Sequence, residues 1–429
     1  MNPRNARATG EGIDRPRRHP WRALAVVAAL AVTAAYPAER AALSTKPTVS
    51  TTVRSAAAAT GQVTAHDGKF WLGAQQITLH GTNVRYPCCS STEYARIASW
   101  GMNLNRLRFQ WALLEPYPPV KNADGTWSHT YDQTYLNGFA ADAARSAQAG
   151  LYVLVNPTGC TCTFFGDPDW QYQAPYNSKG KTYPQTAAGI QDGNTDFWGD
   201  ARRQQFMTDA LKQVALKLKS QSGVLGYEIM NEPTPGALPN AASTTDTMLD
   251  VQLRAAQAIR SVDPPRAIVF TTRFGYAPGV DLADLSGFRA LGNVIFDAHD
   301  FFGARWGDGR YNKPDSPEYH ERMQTMYVNV LPDDNVTPGY PYIGDTEGHV
   351  RWLQGFVDAL DPWGIPLLVG EFGIRSDLTK GVYLYFGSTT SALNYVGVSW
   401  TLCEYNSPLG IVDPNGNLYP WAYIVLDAV

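Results

Sequence analysis

The stretch Val224-Leu225-Gly226-Tyr227-Glu228-Ile229-Met230-Asn231-Glu232-Pro233 decides how this chain folds. Val224–Met230 is an apolar run of strand length, broken by a single acid. A helical pattern, Arg202–Ser220, precedes it and closes at the turn residue Gly223; a second one, Thr247–Val262, follows and leads into another β-branched run, Ala267–Thr272. Strand, helix and strand at this spacing form a parallel βα unit.

The same alternation runs through the chain in both directions. Further strands are expected at Ile77–Val84, Asn103–Phe109, Leu151–Asn156, Asn293–His299, Pro366–Phe372 and Val396–Trp400, with a clear helical pattern at Leu136–Ala149 ending before Gly150. Together these make eight units and predict an α/β fold: a closed (β/α)8 TIM barrel, a single domain over residues 62–429. That span exceeds the about 250 residues such a barrel takes, so the domain must carry long loops. The longest inserts follow the third and sixth strands, on the face where the loops after strands build active sites. Val63–Gln76, with Asp67-Gly68 at its middle, reads as a hairpin covering the opposite end.

Composition narrows the class. Of 429 residues, 44% are hydrophobic and 17% charged, and Gly and Pro, 38 and 29 of them, are scattered without period. This excludes a disordered, collagen-like or low-complexity chain. At the N-terminus, Arg15, Arg17, Arg18 and Arg22 precede the uncharged run Ala23–Tyr36, so residues 1–42 read as a signal peptide, with an uncleaved anchor as the alternative. Residues 43–61 read as a flexible lead-in, and the mature protein is expected outside the cell. Removing residues 1–42 takes away seven Arg and three acids and leaves 28 basic and 36 acidic residues, a balance that disfavours nucleic acid as a partner. In an exported protein the five cysteines, Cys88, Cys89, Cys160, Cys162 and Cys403, point to disulfides rather than metal. Their pairing stays open, with at least one bridge expected to tie active-face loops together.

Two strand ends carry chemistry. Gly226–Pro233 places Glu232 where the fourth strand stops, and Leu368-Val369-Gly370-Glu371-Phe372-Gly373 places Glu371 at the end of the seventh. Catalytic groups of this fold sit at C-terminal strand ends, and two carboxyls facing one another across a barrel suit glycoside hydrolysis: one protonates the leaving oxygen while the other attacks the anomeric carbon. No phosphate-loop, dinucleotide or Ca²⁺-loop motif accompanies them, so no cofactor and no metal is expected.

Asn231-Glu232-Pro233, Gly370-Glu371-Phe372-Gly373 and Trp400 together resemble the cellulase-type glycoside hydrolases of family 5. Leu79-His80-Gly81-Thr82-Asn83 and Asn105-Arg106-Leu107 match that family's first and second strands in order, and the resemblance covers residues 63–429. It implies a retaining enzyme with Glu232 as general acid/base and Glu371 as nucleophile. Arg106 would lie near Glu371 and keep it ionised; an ion pair with Glu228 is the alternative, and both can coexist. Asn231 would donate to the sugar 2-hydroxyl, His299 would contact substrate unless its role is structural, and Trp400 would stack on a pyranose ring unless it is core. Glu404 reads as a solvated loop charge or a third acidic contact. Two positions depart from the family: Phe301 stands where a Tyr hydroxyl usually meets the nucleophile, and Thr158 ends the segment Val155–Thr158 where a His is usual.

The partner implied is a β-linked oligo- or polysaccharide, taken by a monomer with no obligatory protein partner. An endo-acting β-glucanase or mannanase is the first expectation, since some of Trp111, Trp127, Trp170, Trp198 and Trp306 would line an open cleft. Exo-action, cleavage of glycolipids or a catalytically inactive sugar-binding relative are the alternatives. The segment Arg108–Pro116 resembles the glycoceramide-cleaving members.

Overall fold

The computed structural model describes residues 58–157, 167–233, 241–272, 282, 284–300, 346–374, 376 and 382–429. Eight parallel strands close a barrel: β1 His80–Arg85, β2 Leu104–Phe109, β3 Tyr152–Pro157, β4 Val224–Glu228, β5 Ala267–Phe270, β6 Val294–Asp300, β7 Leu367–Phe372 and β8 Ser399–Leu402. Each strand pairs with its neighbours in sequence, and β8 closes on β1 with Trp400 beside His80. The eight expected strands are all present, displaced by a few residues at their ends.

Helices pack outside. Ala201–Leu218 starts at Asp200, whose side chain accepts from the Arg203 amide, and buries Phe206, Met207, Ala210, Leu211, Val214 and Leu218 at spacings of three and four. Gln133–Gln148 is capped in the same way by Asp132. These faces meet the outward side chains of the strands, such as Leu107, Val153, Phe296 and Phe372, in one continuous apolar layer.

Inside the barrel the strand period of two stacks residues in layers. At the N-terminal end the layer is apolar: Leu79, Leu104, Leu154, Leu225, Ile295 and Leu368. The expected hairpin is a three-stranded antiparallel sheet, Val63–His66, Lys69–Leu72 and Gln75–Ile77, which turns at Asp67 and Gly68 in left-handed conformation. Its Val63, Ala65 and Phe70 plug the barrel bottom. Two residues further along β2 and β6 the interior becomes polar. Leu104 gives way to Arg106 and Arg108, and Ile295 to Asp297 and His299, all of them buried. The apolar plug shuts one end, so substrate must approach these charges from the other.

Residues 1–57, which hold the expected signal segment and most of the lead-in, lie outside the described residues. Ala59, near the end of that lead-in, is buried and donates its amide to Ala147 O at 2.8 Å. No helix among the described residues is long and apolar enough to cross a membrane.

Candidate active site

Arg106 is the hub. Its Nε and Nη2 donate to Glu228 at 2.8 and 2.7 Å, its Nη1 to Asn83 Oδ1 at 2.8 Å and its Nη2 to Asn231 Oδ1 at 2.7 Å. Nη1 also reaches Oε1 of Glu371. The two roles weighed for Arg106 therefore coexist, in a guanidinium with no exposed surface.

Glu371 is brought inward by an irregular register. The pairing of β7 with β6 shifts between Ala298 and His299, so that His299 aligns with Glu371, and β7 slips against β8 between Val369 and Phe372. Such irregularities re-aim side chains next to active sites. Just before it, Gly370 passes so close to Asp297 that a Cβ would collide with the carboxylate; its bare amide instead donates to Asp297 Oδ1 at 2.7 Å. Oε1 of Glu371 also receives Nη2 of Arg108. Burial by itself would raise the Glu371 pKa, but the charges of Arg108, His299 and Arg106 outweigh it and hold the carboxyl well below its usual range.

Glu232 follows β4 with φ of 44°, a left-handed backbone that a residue bearing a Cβ adopts only under constraint. Its Oε1 lies 2.9 Å from Nδ1 of His299, while Nε2 of the same ring lies 3.1 Å from Asp297 Oδ2. Burial disfavours the charged ring, yet Glu371, Asp297 and the hydrogen bonds to Asp297 and Glu232 raise the His299 pKa to about 10. At neutral pH it is an imidazolium that donates to Asp297 Oδ2 and to Glu232 Oε1. A carboxylate oxygen of Glu232, one of Glu371 and a nitrogen of His299 all lie within 4.8 Å of one another. This group, like Glu228 with Asp297 and His299, is compact enough to hold a cation. Arg106 and protonated His299 already supply positive charge at both places.

Asn231 is fixed through its oxygen by Arg106, with Asn156 Nδ2 at 3.5 Å, so its own Nδ2 is turned away as a donor. Trp400 departs from expectation. Along β8 it is Thr401 and Cys403 that share the inward period, Thr401 Oγ1 donating to Gly370 O. Trp400 points out between barrel and helices, stacked on His80 at 4.6 Å and edge-on to Phe372 at 5.5 Å, with no surface left for a sugar.

Glu404 is likewise no solvated charge. It is buried, and its Oε2 takes Arg108 Nη1 at 3.3 Å and Arg85 Nε at 3.0 Å. Arg108, Asp297 and Asn83 are site residues that the sequence reading did not single out. The inward period of β2, which carries Arg106, would have found Arg108 two positions on. Cys403 is a free buried thiol 3.6 Å from Arg108, and burial, reinforced by Glu371, pushes its pKa up and keeps it protonated. Cys88 and Cys89 are bonded to each other, a link between adjacent residues that joins no two loops as expected. Cys160, Cys162, Thr158, Phe301 and Trp306 lie outside the described residues.

Four of the five aromatics expected at a cleft, Trp111, Trp127, Trp170 and Trp198, are packed. Trp111 meets Trp170 edge-on at 5.7 Å, and Trp170 and the half-buried Trp127 both lie against Phe206, while Trp198 is buried on Phe197. At the catalytic end the segment after β2 instead leaves apolar side chains outside: Leu113 is 44% exposed, Tyr117 70% and Val120 66%.

Comparison with known proteins agrees with this geometry. In fold the chain is similar to endo-glycoceramidase II from Rhodococcus sp., with a TM-score of 0.60 and 18% identity over 85% of this chain and 80% of that one. It is similar to an endogalactoceramidase, with a TM-score of 0.59 and 18% identity over 85% and 84%. An endoglucanase from Thermotoga maritima gives a TM-score of 0.55 and 14% identity over 82% and 96%. No curated protein matches the chain significantly. The sequence pattern of the cellulase family matches residues 69–406. The barrel, its two strand-end glutamates and this match over most of the chain agree: the protein belongs to glycosyl hydrolase family 5, the cellulase family of retaining glycoside hydrolases.

Proposed function

We propose that Glu371 is the nucleophile and Glu232 the general acid/base of a β-glycosidase that releases a sugar headgroup from an apolar aglycone. The close approach of the two carboxylates carries the first part. Oxygens within 4.8 Å suit direct attack and leave no room for an intervening water, as a retaining pair about 5–5.5 Å apart requires. Glu371 is held ionised and able to attack the anomeric carbon as Glu232 protonates the departing oxygen. Water then enters, Glu232 takes its proton, and the C–O bond to Glu371 breaks. Asn231 Nδ2 would donate to the 2-hydroxyl, and His299, 2.9 Å from Glu232, would orient it.

The aglycone reading rests on the exposed Leu113, Tyr117 and Val120 in the segment after β2, and on the packing of Trp111, Trp170 and Trp198 into the core. The similarity to glycoceramidases supports it. Residues 1–42 would direct export, which N-terminal sequencing of secreted protein tests. For the substrate, glucosyl- and lactosylceramide in detergent are compared with soluble β-glucan, β-mannan and aryl β-glycosides. Release of intact headgroup from the glycolipids is the expected result; turnover of the polysaccharides alone would favour a β-glucanase or mannanase.

A further inference from the structure

Two arginines converge on one oxygen of Glu371, and they are anchored differently. Arg106 divides its charge among Glu228, Asp297 at 3.5 Å and Glu371. Arg108 is different. It projects from the same strand one inward position closer to the barrel mouth, donates Nη2 to Glu371 Oε1, and is steadied from behind by Glu404, which Arg85 holds in turn. This line of alternating charge runs from Arg85, half exposed at the end of β1, through two buried residues to Glu371. Both guanidinium hydrogen bonds to Glu371 fall on Oε1, so the pair restrains that oxygen and leaves Oε2 to react.

We propose that Arg108 is a positioning residue that makes Glu371 a good leaving group, so that the glycosyl-enzyme breaks down rapidly. This rests on Glu371 being the nucleophile. In the first step Glu371 Oε2 bonds to the anomeric carbon, the bond to the aglycone oxygen breaks, and that oxygen takes the proton of Glu232. In the second, water bonds to the anomeric carbon, its proton passes to Glu232, and the electron pair of the C–Oε2 bond returns to Glu371. Charge reappears on the carboxylate in this second step, where a fixed guanidinium on its other oxygen stabilises the transition state. Arg106 is tied to Glu228 by two hydrogen bonds and has less charge to offer.

The test uses the full chain, its Arg108→Gln and Arg108→Lys variants, and an aryl β-glycoside with an activated leaving group. In Arg108→Gln the acid limb of kcat/KM should move up by about 1–3 pH units. A burst of released phenol should precede a slower steady state, with the covalent adduct accumulating in intact mass spectra. Arg108→Lys, which keeps a charge, should lie between this variant and wild type. An acid limb and adduct level equal to wild type in Arg108→Gln would overturn the proposal, however much kcat fell. If that variant does not fold, Glu404→Gln loosens the anchor while keeping the guanidinium and should shift both readouts the same way by less; no shift overturns the proposal. A 2-fluoro glycoside applied to wild type separates the two readings. Label on a peptide without Glu371 removes the nucleophile assignment and this proposal with it, whereas label on Glu371 with unaltered Arg108 variants removes this proposal alone.

Discussion

Nδ1 of His299 lies 2.9 Å from Oε1 of Glu232, and the ring is clamped on its other side by Asp297. Because the ring is charged up to about pH 10, this clamp holds across the neutral range. A raised pKa in the folded state gives stability that is full below the unfolded value of about 6.5 and is lost as pH rises through the folded one. Wild type should therefore lose melting temperature between pH 7 and about 10, and His299→Gln should lose less over the same interval. Parallel curves for the two proteins would show that the ring is neutral.

The two glutamates should fail with opposite stereochemistry. Removing Glu371 opens space for azide to attack an aryl β-glycoside directly, giving an inverted glycosyl azide. Removing Glu232 leaves the nucleophile intact, so azide captures the glycosyl-enzyme with net retention. On substrates that need protonation of the leaving group, Glu232→Ala should cost about 10²–10⁴-fold in kcat/KM. NMR of both adducts checks the assignment; interchanged products would mean interchanged roles.

Trp400 should matter for stability and not for sugar binding. Fully buried between His80 and Phe372, it should cost about 3–5 kcal/mol on replacement by Ala. KM for a soluble aryl glycoside should stay at the wild-type value in the folded fraction. A many-fold rise in KM with an unchanged melting temperature would place the ring in the sugar site after all.

Leu113, Tyr117 and Val120 should act only where the aglycone is apolar. Replacing all three by Ser removes exposed apolar surface without opening the core, and should alter stability by no more than about 0.5 kcal/mol per site. Turnover of lactosylceramide should fall several-fold against an aryl lactoside with the same headgroup. Equal loss on both substrates would remove the patch from aglycone recognition.

The sequence by itself determined the barrel and the two glutamates. Strand and helix periods are local properties, repeated eight times from Ile77 to Trp400, and carboxylates at the ends of apolar strands are visible without any contact map. The direction in which Trp400 points was not legible. In Val396–Trp400 the apolar Val396, Val398 and Trp400 alternate with Gly397 and Ser399, but both faces of a barrel strand are buried, and only pairing with β7 and β1 assigns Thr401 to the interior and Trp400 to the helices. Glu404 and Arg108, 296 residues apart, look like a loop acid and one of two arginines on a strand. Closure of the barrel brings β8 beside β1, which carries β2 on its other side, and there the two share a buried ion pair behind Glu371. Periodicity places a residue on an element, but which charges meet inside the barrel depends on register, and register is fixed only when all eight strands close together.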